Sequence, residues 1–247
     1  MTLQGFFCNL PSAALGLSGG VDSALLLAAA CRYGADVRPY FVKTAFQPAF
    51  ELEDAQKVAD LCGVPLAVIE LDVLALERVA ENPANRCYHC KNAIFSALAQ
   101  RAAADGRTVL LDGTNASDDV CDRPGMRALQ EIGVRSPLRE CGLDKTAVRC
   151  LAKELGVPVW DKPAYACLAT RVPTGQRLEG QLLRRIEQAE AVLFGMGFSD
   201  FRVRVLGDTA RLQLPESQLP QAFARRAEIT ASLGTMFSGV LLDLRAR

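Results

Sequence analysis

The chain has 247 residues, 50% of them hydrophobic, with 28 Lys and Arg balanced by 28 Asp and Glu. That length fits one large domain or one with a small appendage, and zero formal charge argues against wholesale nucleic-acid binding, which ordinarily shows a basic excess. No apolar run approaches the roughly 20 residues of a membrane span, and the first residues lack a signal peptide's charged start and cleavage site, so a cytoplasmic protein is expected.

In chain order, AALGL reads as a short apolar strand, SGGVDS (Ser18 to Ser23) as a loop, and ALLLAAAC as a helix rich in Ala and Leu. DVRPYFVK predicts a strand and FELEDAQKVADLCG an amphipathic helix closed by glycine. PLAVIELD is a further strand, NAIFSALAQRAAADG a helix, TVLLDGTN a strand and DKTAVRCLAKELG another helix ending in glycine. Strands alternating with helices of about 10–15 residues predict an α/β fold, a mostly parallel sheet covered on both faces, with ligands at the carboxyl ends of strands. SGGVDS and DGTNASDD (Asp112 to Asp119) both fall at such ends.

The texture changes after Gly175. QRLEGQLLRRIEQAEAVLFGMG predicts a long helix with Leu178, Leu182, Ile186, Ala189 and Leu193 on or near one stripe. FRVRVLGDTARLQLP reads as a hairpin about a Gly-Asp turn, QAFARRAEITASLG as helical and SGVLLDL as a last strand. The expected division is residues 1–172 and a small α/β domain over 173–247, linked between Arg171 and Gly175.

The loop carries the first chemistry. Gly19 and Gly20 allow close approach and free amide groups to face an anion, and the helix opening at Val21 adds its positive end. Ser18 and Ser23 can donate hydroxyls to phosphate, and Asp22 makes sense beside phosphate as a magnesium ligand. A serine-capped strand-to-helix turn would be the bland alternative, but it leaves Asp22 without a role. The Walker lysine and the dinucleotide GxGxxG are both absent. SGGVDS resembles the signature of the ATP pyrophosphatase (PP-loop) superfamily. This implies an adenine nucleotide alpha hydrolase-like, Rossmann-like fold and ATP cleavage between the α and β phosphates. Asp112, Gly113 and Thr114 resemble the later strand-end segment that shapes the nucleotide or acceptor site.

Nine cysteines and one histidine, His89, direct attention to thiols. RCYHCK sets Cys87 and Cys90 three apart, a spacing suited to one metal or cluster, with Arg86 and Lys91 favouring thiolates and an anionic ligand. A lone CxxC also fits a redox pair or two buried neighbours. Cys167, in DKPAYACLATR, is a third candidate, accompanied by Lys162 and Arg171, which suit phosphate or carboxylate. It is expected to follow a strand, and the CxxC to precede a helix. Cys8, Cys31, Cys62, Cys121, Cys141 and Cys150 are expected to be packing residues.

Together, RCYHCK, DGTNASDDVCDRPG, GVRSPL, VWDKPAYACLATR and FRVRVLGDTARLQL resemble the LarE family, ATP-dependent sulfur transferases of nickel-pincer nucleotide synthesis. The resemblance runs from Ser18 to about Asp243. It implies a small pyridinium-3,5-biscarboxylic acid mononucleotide as substrate, its carboxylates adenylated and converted to thiocarboxylates. By the same resemblance, Cys87, Cys90 and Cys167 match a form in which three cysteines hold a [4Fe-4S] cluster that accepts sulfide from a donor. In the other form, a single cysteine at the position of Cys167 gives up its own sulfur. Lys91 matches a lysine near the sulfur chemistry, Arg202 and Arg204 a substrate-phosphate site, and Glu190 an acidic position. The family's cofactors would be ATP and Mg2+, and its assembly a homo-oligomer. This chain departs at Gln213, where many relatives carry glutamate, and in ending LLDLRAR without their Gly-Tyr-Arg run. The main rival is a tRNA-thiolating enzyme with the same loop, for which zero net charge is poor support. An amidotransferase-fed synthetase lacks its glutaminase here, and a nucleotide-binding scaffold leaves the adenylation loop idle.

Overall fold

A computed structural model describes residues 1–118 and 124–247; Asp119 and Cys121 lie outside the described residues. In chain order the elements are α1 (Leu3–Cys8), β1 (Ala13–Gly16), α2 (Val21–Arg32), β2 (Val37–Lys43), α3 (Ala49–Leu61), β3 (Ala67–Glu70), α4 (Glu77–Ala80), α5 (Arg86–Ala104), β4 (Val109–Leu111), α6 (Pro124–Ile132), α7 (Pro137–Glu140) and α8 (Lys145–Glu154). They continue as α9 (Gly180–Gly195), β5 (Arg202–Leu206), β6 (Thr209–Gln213), α10 (Leu219–Ala224), α11 (Arg226–Leu233) and β7 (Gly239–Leu242). Two compact units result: Met1–Val73 with Asn85–Lys162, and Leu74–Ala84 with Pro163–Arg247.

The first unit holds a four-stranded parallel sheet in the order β3-β2-β1-β4, the α/β architecture the strand–helix alternation predicts. Its central strand β1 is AALG, with Ala13, Ala14 and Leu15 all buried, because a strand covered on both faces needs apolar side chains at every position. Alternation sends Leu15 into a core shared with Leu25, Phe41 and Val58, which seats α2 and α3. Ala14 goes into a second core with Tyr40, Phe95 and Leu98, which seats α5. Chain order reverses at β1, so the carboxyl ends of β1 and β4 lie side by side, with Leu15 in register with Leu111. Reversal points of this kind open a crevice for ligands.

Two local expectations change. The CxxC does not precede its helix but forms the first turn of α5, since RCYHCK contains no glycine or proline to delay the helix. No strand leads to Cys167: the chain there makes successive turns, with Trp160 N–H bonded to Val157 O at 3.2 Å and Lys162 N–H to Val159 O at 3.2 Å. Pro158 and Pro163 have no N–H to offer a sheet. At the N-terminus, α1 forms on a Thr2 cap, the Gly5 amide reaching Thr2 Oγ1 at 3.1 Å, and buries Phe6 and Phe7.

The second unit is a three-stranded sheet, with β5 antiparallel to β6 across the Gly207-Asp208 turn and β7 parallel to β6. On α9 the buried residues are Leu183, Ile186, Ala189, Glu190 and Leu193, so Leu183 takes the core position expected of Leu182. Ile186 centres that face, with Leu183, Ala189 and Glu190 inside beside it, and Leu178 is buried just before the helix begins. Residues 74–84 belong to this unit because Leu178 N–H bonds Ala80 O at 2.7 Å and Gly175 N–H bonds Asn82 O at 2.8 Å. Among the described residues, no helix is long and apolar enough to cross a membrane.

Candidate active site

The segment SGGVDS links β1 to α2 and is held by its own hydroxyls. Ser18 N–H donates to Ser23 Oγ at 3.1 Å, the two seryl oxygens lie 3.2 Å apart, and Ser23 Oγ donates to Gly20 O at 3.3 Å. Ser23 is buried, so its proton is spent on the loop's shape, while Ser18 is exposed. Gly19 has φ +74, and a Cβ there would stand 2.2 Å from Glu51 O in the first turn of α3. Only glycine permits that conformation and that approach together. Lys162 braces the same place, with Nζ 2.7 Å from Asp54 Oδ2, 3.4 Å from Gly19 O and 4.7 Å from the centre of the Phe50 ring. Burial would raise the Asp54 pKa, but hydrogen bonds from Lys162 and Lys57 outweigh it and hold the carboxyl below its ordinary value.

Asp22, in the first turn of α2, accepts from Asn115 Nδ2 at 3.0 Å and from Lys145 Nζ at 2.5 Å. The later strand end therefore does meet the loop: a Cβ on Gly113 would lie 2.8 Å from Ser23 N and 3.1 Å from Asp22 Cβ. Asp112 is buried and faces inward, accepting from Ser136 Oγ at 2.6 Å and from Thr114 Oγ1. In this arrangement Asp112 and Thr114 brace the strand end. Lys145 escaped the sequence reading although a signal was present: it follows Asp144, the cap of α8, which accepts the Ala147 amide at 2.8 Å. Its own amide bonds Ser117 Oγ at 3.0 Å, so the capped helix end aims the ammonium at Asp22. Beside the loop an open cleft is lined by Gly16, Ser18, Tyr40, Gln47, Glu51 and Phe95, among others. Apolar walls with a few polar groups at a phosphate loop suit a flat heteroaromatic ring.

Cys87 is exposed and Cys90 half-exposed on the first turn of α5. Arg86 is buried, sends Nη2 to within 3.6 Å of Cys87 Sγ, and lies over the Phe46 ring at 6.0 Å. Lys91 runs along α6, where a Cβ on Gly125 would be 2.9 Å from its Cδ. Among the cysteines expected to be packing residues, Cys8, Cys31 and Cys150 are exposed, while Cys62 and Cys141 are partly buried. Their positions near helix ends or on outer faces account for the difference. Among the described residues, no group of three or more His, Cys, Asp or Glu gathers as a metal site. Two thiols one turn apart nevertheless fit a shared cluster, and one carboxylate beside a phosphate loop fits Mg2+, which keeps waters and substrate phosphates as its other ligands.

Cys167 belongs to the second unit, at the start of the 3-10 turn Leu168–Arg171, with Thr170 N–H bonded to its carbonyl at 3.0 Å. Long side chains hold this segment from several sides. Arg171, fully buried, makes a fork to Glu190 through Nε (2.8 Å) and Nη2 (3.0 Å), and its Nη1 donates to Ala166 O at 2.8 Å. Burial acts to lower its pKa, but the Glu190 hydrogen bond and charge overcome that and raise it. Tyr165 OH donates to Glu190 Oε2, and Glu190 Oε1 accepts the Val203 amide at 3.0 Å. Arg202, buried, donates from Nη2 to Ala164 O at 2.8 Å, and Arg204 from Nη1 to Thr170 O at 2.7 Å. Burial, then Arg171 and Arg247, push the Arg202 pKa down to about 10, so it remains a cation at neutral pH. Gln213 accepts from Arg204 Nε and donates to Asp243 Oδ2 at 3.0 Å, carrying the network on without charge of its own.

A parallel sheet with a glycine-serine loop at its reversal point, an aspartate in the following helix turn and a second polar strand end beside it defines a PP-loop-type α/β protein. No protein-family model matches the chain. An uncharacterised protein of Synechocystis, slr1717, is 39% identical over 89% of this chain and 82% of its own length. The pyridinium-3,5-bisthiocarboxylic acid mononucleotide synthase of Lactiplantibacillus plantarum is 32% identical over 98% of this chain and 89% of its own. A tRNA-specific 2-thiouridylase of Salinispora arenicola is 30% identical but matches over only 60% of this chain and 51% of its own. The chain belongs to the LarE family of ATP-dependent sulfur transferases.

Proposed function

We propose that this protein adenylates the carboxylates of pyridinium-3,5-biscarboxylic acid mononucleotide with release of pyrophosphate and converts them to thiocarboxylates. The observation that carries the reading is the junction of SGGVDS with Asp112–Asn115 and Lys145 at the ends of β1 and β4. Ser18 and the Gly19 and Gly20 amides would bind the phosphates, with Val21 and Asp22 opening the helix behind them. Lys145 keeps Asp22 neutralised until a nucleotide arrives, and then supplies a cation for the charge that develops on departing pyrophosphate. Asp22 would hold Mg2+, which when bound shields the triphosphate charge. Gly113 lets the second strand end close on the loop, and Asp112 and Thr114 fix it there. The cleft beside Tyr40 and Phe95 would take the adenine ring.

Cys87, Cys90 and Cys167 would hold a [4Fe-4S] cluster, whose chemistry when bound is to carry a sulfide delivered by an external donor. Lys91 would lie near the transferred sulfur, and Arg202 and Arg204 would supply positive charge for the acceptor's phosphate while fixing the backbone around Cys167. Arg171 acts through Glu190, keeping the same backbone in place. The second unit would also carry assembly into a homo-oligomer. A tRNA acceptor is supported only by the partial likeness to a 2-thiouridylase.

The test is anaerobic reconstitution followed by parallel measurement of iron, labile sulfide, thiolated product per protomer and intact mass. Several products per protomer with unchanged protein mass are expected. Less than one product per protomer with dehydroalanine at position 167 would replace the cluster by a sacrificial Cys167. Tight, salt-sensitive tRNA binding without affinity for the pyridinium nucleotide would replace the acceptor.

A further inference from the structure

We propose that Gln47 reads the base of the nucleotide, its carboxamide nitrogen donating to a ring nitrogen of adenine in the cleft beside SGGVDS. The inference rests on the reading of that cleft as the adenine site, and it names the side chain that gives the site its preference for the base. Gln47 lies in the loop between β2 and α3, just before Pro48, the N-cap of α3. It lines the cleft together with Leu17, Val42, Glu51 and Phe95.

The loop is tied so that this carboxamide has one orientation. Thr44 N–H donates to Gln47 Oε1 at 3.1 Å, and Thr44 Oγ1 donates to the same oxygen at 2.6 Å. A backbone N–H can only donate, so the atom turned to Thr44 is the oxygen, and the amide nitrogen occupies the other branch. The Thr44 hydroxyl is itself fixed, accepting the Phe46 amide at 3.1 Å, while Lys43 Nζ donates to Gln47 O at 2.8 Å. Thr44 and Phe46 are both buried, so packing holds the frame on which the carboxamide is mounted.

With both lone pairs of Oε1 taken, Gln47 offers the cleft a donor and no acceptor. Among the described residues nothing accepts from Nε2, and that nitrogen is not sealed in the interior. The lining hydroxyls are committed elsewhere: Tyr40 OH donates to Asp105 Oδ2 at 2.7 Å, and Ser18 belongs to the phosphate loop. A purine ring seated among Leu17, Val42 and Phe95 buries its faces in apolar contact and leaves its edge for a directed polar one. Adenine carries acceptor nitrogens at N1, N3 and N7 on that edge. A donor already held in place loses little freedom on meeting one of them, so the contact contributes to affinity as well as to choice of base.

The experiment measures binding of ATP and of its 1-deaza, 3-deaza and 7-deaza analogues to the full chain, with Mg2+ and without the acceptor. Each analogue replaces one ring nitrogen by C–H. The unsubstituted protein should bind one of the three roughly 2–10-fold more weakly than ATP. Gln47→Leu should bind ATP more weakly by the same factor and lose that discrimination. Gln47→Glu keeps an oxygen for Thr44 but sets a carboxylate against the ring nitrogen, so it should lose ATP by roughly 10–100-fold and prefer the deaza analogue that the unsubstituted protein disfavours. That inversion is a readout that a merely structural role for Gln47 does not produce. Indifference of the unsubstituted protein to all three replacements, or an unchanged order of preference in both variants, would overturn the proposal while leaving the ATP site standing. Absence of ATP binding by the unsubstituted protein would overturn both.

Discussion

Two short loops carry the proposed chemistry, and they are built in opposite ways. Ser18–Ser23 is shaped largely by itself: two seryl hydroxyls, the Gly20 carbonyl and a glycine conformation fix it between a strand and a helix. The stretch 164–171 has no flanking strand and is shaped from outside, by Glu190 on Arg171 and by Arg202 and Arg204 on its carbonyls. A self-shaped loop leaves a contiguous motif in the sequence. An externally held loop scatters its determinants over three elements, and its charged residues look like ligands for something else.

The contrast breaks most sharply at Glu190. Replacing it by alanine leaves Arg171 buried and uncompensated, and should cost about 3–5 kcal/mol in denaturant unfolding, with faster alkylation of Cys167. A loss below about 1 kcal/mol would mean that the fork to Arg171 does not hold the segment. On the other loop the decisive change is smaller and more local. Gly19→Ala meets both a positive φ and the Glu51 carbonyl, so a strain of about 1–3 kcal/mol is expected together with weakened nucleotide binding. Gly20→Ala, whose Cβ would face only Ser18 Oγ at 3.4 Å, is the matched control and should cost much less. Equal losses at the two glycines would count against the close approach to α3.

The smallest effect is one of pH and probes the packing beneath the cleft. Burial, followed by the hydrogen bond and charge of Asp105, raises the Tyr40 pKa to about 12. A phenol that is harder to ionise when folded adds stability that is complete below its unfolded pKa of about 10 and is lost as pH climbs through the folded value. Ultraviolet titration should therefore show one tyrosine ionising near 12, and Tyr40→Phe should remove that step and flatten the alkaline loss of stability. A Tyr40 step near 10 would indicate an exposed phenol.

What the sequence made legible follows the same division. β1, SGGVDS and α2 could be read directly because strand period, glycine pair and helix formers lie in one run. The meeting of Asp22 with Asn115 was implied by two polar strand ends, but Lys145, 123 residues from Asp22, gave only a helix cap as its sign. Arg202 and Arg204 stood out as charges on a strand, yet nothing in FRVRV reveals that their donors reach Ala164 and Thr170 carbonyls. Leu183 rather than Leu182 entered the core because the packed face of α9 is centred on Ile186 and Glu190 lies within it. A stripe drawn through apolar residues alone misses a buried carboxylate paired with a buried guanidinium.

The central claim is that ATP is opened between its α and β phosphates to activate a carboxylate for sulfur transfer. It is tested most directly by following α- and γ-labelled ATP with the anaerobically reconstituted protein, with and without pyridinium-3,5-biscarboxylic acid mononucleotide, alongside Asp22→Asn. The expected result is AMP and pyrophosphate in equal amounts only when the acceptor is present, falling by roughly 10²–10³-fold in Asp22→Asn while its unfolding curve is unchanged. ADP and phosphate as products, or AMP formation indifferent to the acceptor, would contradict it.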